Sequence, residues 1–127
     1  MLTYETLFWV YLINLLMLIL HEMDSVYWQE WRLFHLPGGI TGFLLVHFPL
    51  FFSGLYGLVL VENRLFSGLV ISLVVSLAGL FAFAIHSYFI RKGHTEFTTF
   101  TSQAILICTF IVSMVQAGIT IYLFGQL

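Results

Sequence analysis

The sequence predicts an all-α fold: an integral membrane four-helix bundle in up-down-up-down order, with a short interfacial helix after the first span. Three observations predict it. Of the 127 residues, 61% are hydrophobic and 8% charged, against roughly 25% charged in soluble domains. A chain this small cannot bury so much apolar surface in water, so most of it must meet lipid; the mean hydropathy of +1.03 says the same. The apolar residues fall in four continuous runs rather than alternating, which selects helices over a barrel. At about 20 residues per crossing, the chain holds four spans in a single domain, 1–127, and no second one.

The spans are expected at about 4–24, 39–61, 65–90 and 97–124, each long enough to cross the hydrocarbon layer. The first run, Leu7 to Leu20, lacks a basic leader and a small-residue cleavage site, so the first span is expected to stay in the mature protein. After it comes "HEMDSVYWQEWRLFHLPGG", His21 to Gly39. Tyr27, Trp28 and Trp31 are residue types that anchor at headgroup level, so this stretch reads as a helix near the interface. Pro37 ends it, and Gly38-Gly39 allows the turn into span two. "VENRL" and "RKGHTE" are short polar connections that join antiparallel neighbours. Gly54 and Gly57 in span two suit close helix approach, within the bundle or in a homo-oligomer. Cys108 stands alone and cannot form an intramolecular disulfide.

Counting crossings assigns sides. Face X, where spans one and three end, collects His21, Glu22, Asp24, Glu30, Arg32, His35, Arg91, Lys92, His94 and Glu96, with His86 close by. Face Y carries both termini and Glu5, Glu62 and Arg64. Basic residues favour the cytoplasmic side, which puts face X inside and both termini outside. The formal charge of -2 comes with no basic patch, so no nucleic-acid partner is expected.

Polar residues inside the spans supply candidates for chemistry. On a helix advancing about 100° per residue, Asn14, Asp24, Ser25, Trp28 and Arg32 fall on the side of His21, while Glu22 and Gln29 form an adjacent line. Asn14 lies deep enough to want an interhelical partner. His47 sits about 11 to 12 Å into span two, where an ionisable residue should face the interior. Pro49 beside it removes a backbone donor and can kink the helix. His86 ends a stripe of Ser72, Ser76, Gly79 and Phe83 on span three, and span four carries Thr99, Ser102, Thr109, Ser113, Gln116 and Thr120 on one line.

His21 and Asp24, at i and i+3, can reach one cation from a single helix, and His47 and His86 would complete three nitrogens and one oxygen. That donor set suits zinc or non-haem iron. Glu22 and Glu30 remain as catalytic candidates, a general base or a group orienting a histidine. The leading reading is therefore a membrane-embedded, metal-dependent enzyme acting on a lipophilic small molecule. Alternatives stand beside it: a metal-free isomerase moving protons through the same residues, haem ligated by His47 and His86, a small channel or transporter subunit wetted along span four, and an accessory protein whose polar residues hold helices together.

The H-E-x-D then Y-W-x-E-W pattern of His21 to Trp31 resembles the signature of a family of small, uncharacterised bacterial four-helix membrane proteins. It is more distantly similar to HXXEE-domain membrane proteins, which pair a histidine with acids at i+3 and i+4. Here His21 and Asp24 match, and Ser25 stands where the second acid belongs. The resemblance implies a bacterial inner-membrane location and joint action of His21, Glu22, Asp24 and Glu30; it implies no reaction.

Overall fold

The computed structural model describes residues 1–127. Four long apolar helices form the bundle: α1 (Tyr4–Tyr27), α3 (Gly39–Glu62), α4 (Phe66–Arg91) and α5 (Phe100–Phe124), with a single-turn α2 (Glu30–Leu33) after the first. Each long helix has the length and hydropathy of a membrane crossing, so the chain is an integral membrane protein. Short turns keep neighbours antiparallel, and both turns at face X and the one at face Y fall where the crossing count puts them.

Around the bundle the order is α1, α3, α4, α5. α1 and α4 touch across the short diagonal, and α3 and α5 do not meet. A residue on α1 can therefore face one on α4 directly. The apolar core lies toward face Y, where Leu7, Tyr11, Leu15, Val61, Leu69 and Ile119 pack together. Gly54 and Gly57 are used inside this core. The Tyr11 hydroxyl donates to the Gly54 carbonyl at 2.6 Å, and a side chain at Gly57 would meet Tyr11 and Ile71. Their small size serves close approach within one chain.

At mid-depth a polar clasp joins α1, α4 and α5. Asn14 Nδ2 donates to Gln116 Oε1 at 2.7 Å, and Ser113 Oγ donates to Asn14 Oδ1 at 3.2 Å. Gln116 Nε2 donates to the Ser72 carbonyl and hydroxyl at 2.9 and 3.0 Å. Thr120 Oγ1 donates to the Gln116 carbonyl at 2.8 Å, so at its 2.8 Å contact with Ser72 Oγ it accepts. All five side chains are fully buried. In a bilayer an amide must find its partners on other helices, and here it does. These residues of the span-four stripe are spent on one another rather than left to line water.

Two helix ends differ from the sequence expectation, each for a local reason. α1 runs to Tyr27 and then breaks sharply, because Gln29 takes a left-handed conformation at φ 54°. α5 begins at Phe100 rather than at 97, because the Thr99 side chain caps it by accepting from Ser102 N–H, a favoured role for threonine. Phe97 precedes the cap at φ 64°.

Candidate metal centre at the X end of the bundle

The site is assembled by the break after α1. A left-handed non-glycine residue costs roughly 1–2 kcal/mol and persists only where its surroundings hold it. Gln29 is held from both sides. Trp28 Nε1 donates to Asp24 Oδ1 at 3.1 Å and to Ser102 Oγ at 3.2 Å, pinning the break to α5. Trp31 then packs on Phe43 of α3, with ring centroids 5.6 Å apart. The reversal turns Glu30 inward, where it is 8% exposed.

His21 of α1 and His86 of α4 meet Glu30 there. The two histidines are each 1% exposed, with ring centroids 4.8 Å apart. Donor atoms of His21, Glu30 and His86 all lie within 4.8 Å of one another. His86 Nε2 is 2.9 Å from Glu30 Oε1, yet off the direction a hydrogen bond needs. His21 Nδ1 and both His86 nitrogens have no hydrogen-bond partner. Native structures rarely leave buried polar atoms in this state. Three such donor groups, converging within 4.8 Å, could hold a cation. The Phe97 ring is the floor: fully buried, its centroid lies 4.0 Å from that of His86 and 5.6 Å from that of His21. Gln103 Nε2 donates to the Phe97 carbonyl at 2.6 Å and steadies its left-handed backbone.

A second pair borders the same cavity. His47 Nε2 lies 2.9 Å from Glu22 Oε2. Its Nδ1 sits 2.7 Å from the Phe43 carbonyl; a carbonyl only accepts, so Nδ1 carries the proton and Nε2 faces the carboxylate. Stacking on the Phe43 ring at 3.9 Å fixes the imidazole plane. This pair is less enclosed than the triad, with side chains 16% and 20% exposed. A cavity of about 250 Å³ is lined by His21, Glu22, Glu30, His47 and His86 together.

Of the four residues expected to share one point, the structure thus brings His21 and His86 together, places His47 across the cavity with Glu22, and turns Asp24 away. Asp24 Oδ1 serves Trp28, and its buried Oδ2 has no partner. Glu30, expected as a catalytic carboxylate, completes the triad. Tyr27 is exposed, whereas Trp28 and Trp31 serve the site. The exposed His94 stays apart, 3.6 Å from Glu96. Phe97 and Phe34, whose ring centroid lies 5.8 Å from that of His86, have no signal in the sequence; the hydroxyl partner of Trp28, Ser102, is marked by the span-four stripe.

No curated protein and no solved structure matches the chain. A family model matches residues 7–123, which takes in all four spans and every residue of the candidate centre. The chain belongs to that family, described as a family of unknown function, DUF6713.

Proposed function

We propose that this protein is a membrane-embedded, metal-dependent enzyme acting on a lipophilic substrate at the X end of the bundle. The observation that carries the reading is the buried His21–Glu30–His86 group, whose donor atoms converge without hydrogen-bonding one another. Two imidazoles and a carboxylate are a recurring donor set for catalytic zinc and for non-haem iron.

His21, Glu30 and His86 would hold the ion. A zinc or iron ion bound there supplies Lewis-acid polarisation of water or of a substrate oxygen. Phe97 and Phe34 press the imidazoles into place and keep bulk water off them. Glu22 and His47, with Oε2 and Nε2 2.9 Å apart, are the residue types of a general acid–base pair. Asp24 acts through Trp28 by holding the break that delivers Glu30. Face X is cytoplasmic on the basic-residue bias. Haem has no comparable support, since His47 stands with Glu22 and does not converge with His86.

Metal binding to the folded state raises stability by mass action. Chelator-treated protein should melt lower than untreated protein, and added zinc or ferrous iron should restore the wild type but not Glu30→Gln. Equal melting of treated and untreated wild type, with no response to either metal, would refute the proposal.

A further inference from the structure

The cavity above the triad adjoins a cleft between the membrane-spanning helices. Leu18, Glu22, His47 and Ala78 line both, and the cleft, apolar and of about 180 Å³, lies between α1, α3 and α4. The remaining walls include Leu15, Leu50, Val74 and Val75. Ala78 on α4 is small where a larger side chain would narrow the gap. Counting about 1.5 Å per residue from Gly39, His47 lies about 12 Å along α3 and Gly54 about 22 Å. The cleft therefore runs through the middle of a hydrocarbon layer about 30 Å thick. Leu50 and Val74 at its rim are exposed, and what surrounds them at that depth is hydrocarbon chain.

The inner end of the cleft is polar and holds no lysine or arginine. Glu22 Oε2 is buried there with no hydrogen-bond partner, 2.9 Å from His47 Nε2. Neither the cleft nor the cavity behind it is lined by a lysine or arginine. A phosphate or carboxylate head would face Glu22 and Glu30 with no cation to pair it, which is costly at low dielectric. A hydroxyl or carbonyl head finds a ready donor or acceptor in the Glu22–His47 pair.

We propose that the cleft is a lateral binding site for a single-chain lipid with a neutral oxygen head, a long-chain alcohol or aldehyde. The tail lies along Leu50 and Val74, and the head reaches Glu22 and His47 beside the triad. The site names the substrate class for the enzyme proposed above, but the binding itself needs no metal.

The test uses the full chain in phosphatidylcholine nanodiscs and a long-chain alcohol carrying a mid-chain diazirine, with labelled positions mapped by mass spectrometry. Label should concentrate on α3 and α4 at the cleft, and excess untagged alcohol should compete, while the matching fatty acid should not. Ala78→Trp, and independently Leu50→Trp, should lower cleft labelling about tenfold, equivalent to about 1.4 kcal/mol of binding. Labelling at Val115 on the lipid face of α5 should not change. Label spread evenly over cleft and Val115, or unmoved by both tryptophans, would overturn the site; equal competition by the fatty acid would overturn the neutral head. Metal content of the same samples separates the two readings. Cleft labelling without metal overturns the metal centre alone, and metal with even labelling overturns the cleft alone.

Discussion

Gln116→Leu removes the centre of the mid-membrane clasp, and its cost can be worked from the contacts. Gln116 accepts from Asn14 and donates twice to Ser72, at 2.7, 2.9 and 3.0 Å. Interhelical hydrogen bonds in membrane proteins average about 0.6 kcal/mol and reach about 1.7. Their loss, with Asn14 Nδ2 left without an acceptor in a fully buried position, comes to about 2 to 3 kcal/mol. The double variant Asn14→Leu/Gln116→Leu removes the orphaned donor as well, so it should cost less than the two single costs added, by about 1 kcal/mol. Equilibrium unfolding in mixed detergent–lipid micelles, run as a double-mutant cycle, measures both quantities. A single-variant cost below about 0.5 kcal/mol, or strict additivity, would refute the clasp. The same variant separates the clasp from a conduction path: reconstituted protein should show no ion flux for Gln116→Leu to abolish.

Other expectations follow from particular contacts. Asp24→Asn keeps an oxygen for Trp28 and should leave both stability and bound metal near wild type, whereas a metal ligand at this position would lose its ion; elemental analysis with a thermal melt decides. Gly57→Leu drives a side chain into Tyr11 and Ile71 and should cost about 1 to 3 kcal/mol or more, while Gly118→Leu, with open space around it, should be neutral or slightly stabilising in the same melt. Gln29→Gly removes the cost of a left-handed side chain and should raise stability by up to about 1 kcal/mol; Gln29→Val should lower it by about as much and reduce metal retention by displacing Glu30.

Much of the fold is legible in the sequence, because hydropathy over about 20 residues measures the property that places a helix in lipid. The helix ends are less so. The apolar run at residue 97 hides a cap, since Thr99 side-chain geometry rather than hydrophobicity sets the start of α5. In the candidate site, His21 and His86 stand out as ionisable residues near span ends on polar stripes. Their meeting depends on α1 and α4 lying across the short diagonal, which spacing along one helix cannot reveal. Glu30 belongs with them only because Gln29 reverses the chain in a conformation glycine would advertise and glutamine does not. Phe97 is hidden for the same reason, a bulky residue at φ 64° under two imidazoles. Asn14 and Gln116 each signal a need for a partner, and only the packed bundle shows that they are each other's.

The central claim is that His21, Glu30 and His86 form a metal site. Elemental analysis of detergent-purified wild type, His86→Ala and His47→Ala tests it most directly, after each has been loaded with zinc or ferrous iron and freed of excess. The account gives about one metal per chain in the wild type, loss in His86→Ala, and retention in His47→Ala, whose imidazole faces Glu22 instead. No retained metal in the folded wild type, or undiminished metal in His86→Ala, would contradict it.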